Sequence, residues 1–204
     1  MIKLKNILNE ENFSGKTFIS VDIQPLYEHV FKFETEEYVE FLNEINCKDL
    51  IFLYNGRDYD GDTVEECKQW LSENGLSDKT MNNITFYNKG YAFFTACMDE
   101  GVDDDHTVNF VRFLYNNNIR SSHDMTRDMW AKYIRKYRHT DKRELYDLLK
   151  HSSDYVYIPD LMGFIKKYNN ITLTGGGMNE CLREVEIALK SLNKPYQIYN
   201  KFTY

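Results

Sequence analysis

Short apolar runs alternate along the chain with segments whose apolar residues recur every three or four positions. The runs predict buried strands, and the spaced positions predict helices that pack one face against them. Predicted strands span Lys16–Val21, Asp49–Tyr54, Asn83–Tyr87, Ile171–Thr174 and Pro195–Phe202. Predicted helices span Glu36–Asn43, Thr63–Asn74, Thr107–Tyr115, Thr126–Arg138, Lys142–Lys150, Leu161–Tyr168 and Glu180–Leu192. Because short strands joined by helices form right-handed crossovers, this order predicts a mainly parallel sheet.

The alternation stops between residues 92 and 157, where the pattern is mostly helical. No repeat and no Pro- or Ser-rich linker divides the chain, which contains only 3 Pro. We therefore predict a single α/β domain over residues 1–204. The expected fold is Rossmann-like and three-layered, with helices on both faces of the sheet and residues 96–157 as a helical insertion.

Composition and charge narrow the class of protein. The chain has 204 residues, and its hydrophobic content of 42% is too high for a disordered protein. The net charge of −7 disfavours general nucleic-acid binding, because phosphate neutralisation needs a basic face. Met1–Ser14 is polar, and no run approaches the roughly 18 apolar residues of a membrane span. We expect a cytoplasmic protein that does not enter a membrane.

Cysteine and histidine spacing gives no sign of a metal site. Four cysteines lack any CxxC pair, and five histidines lack ligand spacing. The cysteines are Cys47, Cys67, Cys97 and Cys181. We expect four reduced thiols and no resident metal or other cofactor.

Distinctive residues follow the predicted strands. In parallel α/β sheets, ligands bind outside the carboxyl ends of the strands. Asp22 ends the first strand, Lys89 follows the third, and the turn Gly175–Cys181 follows the fourth, while Asn55 and Asp58 follow the second. The sequence therefore predicts a functional site where Asp22, Lys89 and this turn converge.

The turn Gly175–Cys181 joins a strand to a helix and carries three consecutive glycines. Glycines let main-chain N–H groups approach a ligand, and a helix N-terminus favours an anion or a thiolate. A cysteine in the first helical turn is therefore a candidate nucleophile. The alternative is that Cys181 is a small apolar packing residue and that the glycines only allow close packing.

Asp22 and Lys89 suit each other as an ion pair. A carboxylate at the end of an apolar strand is costly unless it is paired, and Lys89 is a plausible partner. Beside a thiol, such a pair could take up and return a proton. Each residue could instead be a surface charge or part of a structural ion pair.

Three segments resemble the isochorismatase-like cysteine hydrolases, the group that contains the nicotinamidases. Val21–Gln24 (VDIQ) resembles their opening Asp-x-Gln, and Lys89–Thr95 (KGYAFFT) resembles their lysine segment. Ile171–Leu182 (ITLTGGGMNECL) is similar to their nucleophile segment, and the three segments occur in the family's order. The resemblance implies hydrolysis of a small amide-type substrate through a thioester.

The same resemblance implies roles for individual residues. Asp22 would be the base, Lys89 the orienting and charge-stabilising group, and Cys181 the nucleophile. Backbone N–H groups of the 177–181 turn would form an oxyanion hole. The candidate oxyanion and ligand-binding residues are Gly176, Gly177, Met178, Glu180, Gln24 and Asn55.

The sequence also departs from that family's pattern. Met178 replaces the family's hydroxyl residue before the nucleophile, and Val185 replaces its threonine after it. Asn55–Asp62 (NGRDYDGD) lacks the Asp-x-His metal pair of nicotinamidases. These departures leave open a non-catalytic binding or interaction protein on the same fold.

A second, looser resemblance is to metal-dependent nucleases of the PIN-like kind. There Asp22 would be the metal ligand of the first strand, and Mg²⁺ or Mn²⁺ would activate water against a phosphodiester. The further acidic candidates are Asp99, Asp103–Asp105, Glu180 and Glu184. Asp103–Asp105 can instead be an exposed loop that caps the next helix.

The segment Arg127–Arg143 combines seven basic residues with Trp130, Tyr133 and Tyr137. Such a face can bind single-stranded nucleic acid by stacking and charge. The alternative is an amphipathic helix that exposes its charges to solvent or packs on another subunit.

The expected partner at the main site, around Asp22, Lys89 and Cys181, is a small-molecule substrate.

Overall fold

The computed structural model describes residues 12–57, 60–90, 104–137, 160–178 and 180–204. Within them lies a five-stranded sheet in the order β3-β2-β1-β4-β5, and every neighbouring pair is parallel. The strands are β1 Thr17–Val21, β2 Asp49–Tyr54, β3 Ile84–Asn88, β4 Ile171–Gly175 and β5 Tyr196–Ile198. This arrangement confirms the predicted Rossmann-like α/β fold, with β1 at the point where the strand order reverses.

Helices cover both faces of the sheet. Their bounds are α1 Thr35–Glu44, α2 Val64–Glu73, α3 Asp78–Met81, α4 Asp104–Asn116, α5 Arg127–Tyr137, α6 Leu161–Ile165 and α7 Cys181–Ser191. The helix α2 begins at a capping box, in which Thr63 accepts from the Glu66 N–H while the Glu66 side chain accepts from the Thr63 N–H. Short 3-10 turns cover Pro25–Val30, Ser122–Asp124 and Asn200–Phe202.

Alternate residues of each strand enter different cores, because successive side chains of a strand point to opposite faces. Phe18 and Phe52 face α1 and α2 in a core that is rich in aromatic rings. Ile19 and Ile51 face α4 to α7 in a mostly aliphatic core. The central strand β1 is buried on both faces, as its mostly apolar sequence, with Phe18, Ile19 and Val21, predicts.

The predicted helical insertion is described only in part. Its described stretch, residues 104–137, holds α4 and α5, and α4 packs against α7. The predicted helix Lys142–Lys150 lies outside the described residues. None of the helices in the described ranges is long and apolar enough to cross a bilayer.

The predicted strand Pro195–Phe202 is too long. The strand β5 ends at Ile198, and Asn200–Phe202 forms a 3-10 turn that buries the Phe202 ring against Phe41 and Tyr38. Alternating apolar and polar residues suit both a strand and such a turn, so the pattern could not separate them.

Candidate functional site

Asp22 lies where β1 ends and its backbone turns across the edge of the sheet. Its N–H still donates to the Leu53 carbonyl oxygen at 2.8 Å, and its φ of 50° then lies in the left-handed region. The residue is fully buried. Left-handed backbone at a residue other than glycine is uncommon, and it is concentrated at functional sites.

Lys89 reaches Asp22 across the end of β2. The strands β3 and β1 are second neighbours, so their axes are about 9–10 Å apart. The long lysine side chain spans this gap and brings Nζ within 3.0 Å of Asp22 Oδ2, with both residues buried. Burial lowers the pKa of Lys89, but the negative charges of Asp22 and Glu184 raise it by more, so the net shift is upward. Lys89 is therefore a cation at neutral pH.

The Asp22 carboxylate lies between a cation and a thiol. Lys89 Nζ is 3.0 Å from Asp22 Oδ2, and the Cys181 thiol lies close enough to hydrogen-bond the same carboxylate. A carboxylate next to a thiol suits proton transfer.

Cys181 is the first residue of α7 and is half-buried. Two glycines make the turn before it possible. Gly175 has a φ of 84°, and a Cβ there would lie 2.3 Å from the Val21 carbonyl oxygen. Gly176 has a φ of 60°, and a Cβ there would lie 2.8 Å from the Leu182 nitrogen. The glycines therefore allow the helix to begin close against the end of β1, next to Asp22.

Charges around the Cys181 thiol oppose one another. Burial and the negative charge of Asp22 raise the pKa of Cys181 well above its usual value, while the positive charge of Lys89 lowers it. A smaller upward contribution comes from Glu184, which lies one helical turn further along α7 and is also buried. Cys181 is therefore a thiol at rest, and its proton has a nearby acceptor in Asp22.

The 177–181 turn uses several of its N–H groups internally. Met178 donates to the Tyr204 carbonyl oxygen, and both Glu180 and Leu182 donate to the Gly177 carbonyl oxygen. In the described part of the turn, the N–H groups of Gly177 and Cys181 have no such acceptor. These two are the donors that an oxyanion could use.

Gln24 and Asn55 lie beside the site as a buried connection between β1 and β2. The Asn55 N–H donates to Gln24 Oε1 at 2.7 Å, and Gln24 Nε2 donates to the Asn55 carbonyl oxygen at 3.2 Å and to Asp62 Oδ2 at 2.8 Å. Because these contacts occupy the Gln24 amide, Gln24 serves to position its neighbours. Asn55 extends the connection by donating from Nδ2 to the Tyr27 hydroxyl at 3.2 Å.

Two tyrosines that the sequence analysis did not single out border the site. Tyr204 donates from its hydroxyl to the Asp22 carbonyl oxygen at 2.9 Å, and its N–H donates to the Gly176 carbonyl oxygen. Tyr27 lies close to Asp22, Cys181 and Lys89, and the charges of Asp22 and Lys89 act on its phenol. No local sequence signal marks either residue, because only the fold brings them to this edge.

Of the acidic residues of the nuclease hypothesis that the structure describes, most lie away from Asp22. Asp104 pairs with Arg183 and Lys190 on α7, and Glu180 is exposed. Glu184 alone joins the Asp22 neighbourhood, through Lys89 and Cys181. Asp99 and Asp103 lie outside the described residues. Within the described ranges, no three His, Cys, Asp or Glu side chains are grouped closely enough to hold a metal ion.

The aromatic residues of the segment Arg127–Arg143 face inward where they are described. Trp130 and Tyr133 are buried, and Trp130 stacks on Phe110 at a centroid distance of 5.5 Å. Basic residues on the other side of α5, such as Arg135, are exposed. Residues 138–143 lie outside the described part of the chain, so the nucleic-acid hypothesis stays a prediction.

Comparison of the chain with protein-family models, with curated proteins and with solved structures found no match.

Proposed function

We propose that this protein is a hydrolase that cleaves a small amide-type substrate, with Cys181 as nucleophile, Asp22 as base and Lys89 as the group that orients Asp22. The observation that carries the proposal is the 3.0 Å contact between buried Lys89 and Asp22, beside the Cys181 thiol. These residues come from three separate strand ends of the same edge. A buried ion pair is weak support for stability, so its presence beside a thiol favours a chemical role.

The reaction would begin with attack of Cys181 Sγ on the amide carbonyl carbon while Asp22 takes the thiol proton. The resulting oxyanion would lie near the N–H groups of Gly177 and Cys181. When the intermediate collapses, the C–N bond breaks and the leaving amine takes the proton from Asp22. A thioester on Cys181 remains.

Water would then complete the cycle. Asp22 takes a proton from water, the hydroxyl attacks the thioester carbonyl, and the C–S bond breaks. The proton returns from Asp22 to Cys181 Sγ, and the carboxylic acid is released. The net change is amide and water to acid and amine. Lys89 keeps its proton throughout, because its raised pKa keeps it cationic.

The test is release of ammonia from a panel of small primary amides. We expect the wild-type chain to hydrolyse at least one of them and Cys181→Ala to lose that activity by a factor of at least about 10³. Cys47→Ala is the matched control, because Cys47 is also a half-buried free thiol but lies at the other edge of the sheet. Full activity in Cys181→Ala would exclude the proposed chemistry.

A further inference from the structure

The hydroxyl of Tyr27 accepts one hydrogen bond, and its own proton is not used by any described residue. Asn55 Nδ2 donates to this hydroxyl at 3.2 Å, which occupies an oxygen lone pair. Within the described ranges, the phenolic proton has no acceptor. The phenol is partly exposed, so its O–H is available to a bound ligand.

The orientation of Tyr27 is set by buried groups. Asp62 bonds Gln24 Nε2 at 2.8 Å and also accepts from the Leu26 N–H at 3.0 Å, next to Tyr27 in the chain. Gln24 in turn fixes Asn55 through two hydrogen bonds, and Asn55 bonds the phenol. This series of contacts holds the hydroxyl in place without using its proton. Preorganised donors of this kind are typical of ligand sites.

Tyr27 also keeps its phenolic proton at neutral pH. Burial is the largest influence and raises the pKa of Tyr27; the hydrogen bond from Asn55 lowers it in part, the negative charge of Asp22 raises it, and the net shift is upward. The hydroxyl can therefore donate throughout the neutral range. Its neighbours Asp22, Cys181 and Lys89 are the residues of the proposed reaction.

We propose that Tyr27 is a substrate-binding residue, whose phenol donates a hydrogen bond to an acceptor atom in the part of the substrate that is not cleaved. This inference rests on the proposed function, and it specifies the substrate as a small amide that carries a second acceptor, such as an ether, hydroxyl or carbonyl oxygen. Asn55 positions the phenol and does not contact the substrate.

The experiment uses two probes of nearly equal size, N-butyl-2-bromoacetamide and N-(2-methoxyethyl)-2-bromoacetamide. Each alkylates a thiol by forming an S–C bond while bromide leaves with the bonding electron pair, and the thiol proton passes to solvent. Only the second probe carries an ether oxygen. The rate of Cys181 modification is measured by mass spectrometry as a function of probe concentration.

In the wild type we expect the ether probe to half-saturate at a concentration roughly three- to tenfold lower than the butyl probe, the factor of one neutral hydrogen bond. In Tyr27→Phe the two concentrations should become equal, while the limiting rate changes little. Asn55→Ala should reduce the preference in part. Tyr196→Phe is the matched control, because it removes a phenol that donates to Glu186 at 2.6 Å, and it should keep the full preference.

Two outcomes would overturn the proposal: equal half-saturation in the wild type, or a preference that persists in Tyr27→Phe. Neither outcome depends on turnover, because alkylation needs only an accessible thiol. Absence of ammonia release from amides would instead count against the hydrolase itself, so the two failures are distinguishable.

Discussion

The sheet has a carboxyl edge, where its strands end, and an amino edge, where its strands begin. At the carboxyl edge Asp22, Lys89 and Glu184 are buried, whereas at the amino edge polar side chains bond one another near the surface. Asn43 shows the second pattern: its Oδ1 accepts from the Ser77 N–H and its Nδ2 donates to the Gly75 carbonyl oxygen. A cavity of about 450 Å³ opens at the amino edge, with residues such as Asn43 and Lys79 in its lining. At the edge with this cavity Asn43 and Ser77 bond each other near the surface, while the other edge keeps charges out of water.

This difference indicates that the buried charges at the carboxyl edge serve a purpose other than stability. Burying an ion pair is often no better for stability than burying apolar side chains of the same volume. Hydrogen bonds among exposed polar groups, as at the amino edge, involve little desolvation. We infer that the carboxyl edge is the functional edge, and three variants test the contrast between the two.

The largest expected effect is that of Lys89→Met on stability. The variant leaves Asp22 buried without its cation, which should lower the free energy of unfolding by about 3–5 kcal/mol in urea titrations. Lys201→Met is the control, because the Lys201–Glu37 pair at 2.8 Å is about half exposed and should contribute less than about 1 kcal/mol. Equal losses in the two variants would remove the contrast between a buried and an exposed pair.

The pH dependence of the same variant gives a sharper test. The pKa of Lys89 is raised above its usual 10.5 in the folded state, so the pair stabilises the protein fully below that value. The contribution falls as the pH rises towards the folded value. The difference in unfolding free energy between wild type and Lys89→Met should therefore be constant from pH 7 to about pH 10 and decrease above it.

Gly175→Ala should have an intermediate effect. A Cβ at Gly175 would meet both a left-handed backbone and the Val21 carbonyl oxygen at 2.3 Å, which together should cost about 2–4 kcal/mol. Gly75→Ala is the control at the amino edge, because Gly75 has a φ of 94° but open space around its Cβ position. That change should cost only about 1 kcal/mol. An equal loss of thermal stability in Gly175→Ala and Gly75→Ala would contradict the close approach of β4 to β1.

Tyr204→Phe should have the smallest effect on stability, about 1 kcal/mol, because it removes one hydrogen bond to the Asp22 carbonyl oxygen. Tyr196→Phe should lose a similar amount. Only Tyr204→Phe should also reduce amide turnover, by up to about tenfold, because Asp22 is then held less firmly. Unchanged turnover in Tyr204→Phe would mean that Tyr204 has only a structural role.

The sequence predicts the fold well where pattern and burial coincide. The strand β2 contains the unbroken apolar run Leu50–Leu53, while β1 and β4 mix apolar residues with Thr and Ser, and short segments of this kind buried on both faces have few other interpretations. The end of β5 could not be predicted, because Tyr199 and Phe202 pack into an aromatic cluster that involves residues far away in the chain. The local pattern of apolar and polar residues carries no information about such long-range contacts.

The residues of the site also fall into two groups, those that the sequence predicts and those that it does not. Asp22, Lys89 and Cys181 could be selected from the sequence, because each follows a predicted strand of a parallel sheet. Tyr27 and Tyr204 could not, because a phenol has no preferred position in a motif. Glu184 lies three residues after Cys181, hence on the same side of the helix. That spacing could have indicated its place, but its burial depends on how α7 packs.

The central claim is that Asp22, Lys89 and Cys181 act on one another as a single electrostatic unit. The most direct test is the rate of iodoacetamide alkylation of Cys181 between pH 6 and 9 in wild type, Asp22→Asn and Lys89→Met. Cys47 serves as the internal standard, because its pKa is raised to about 11 by burial and by Asp49, without a contribution from the unit. Mass spectrometry of the cysteine-containing peptides gives both rates in one sample.

Asp22 raises and Lys89 lowers the pKa of Cys181, so the two variants should move its alkylation in opposite directions. We expect Asp22→Asn to make Cys181 react faster at a given pH and Lys89→Met to make it react more slowly, with Cys47 unchanged. Identical Cys181 rates in all three proteins would show that the thiol is independent of the ion pair, and the three residues would then not act as a unit.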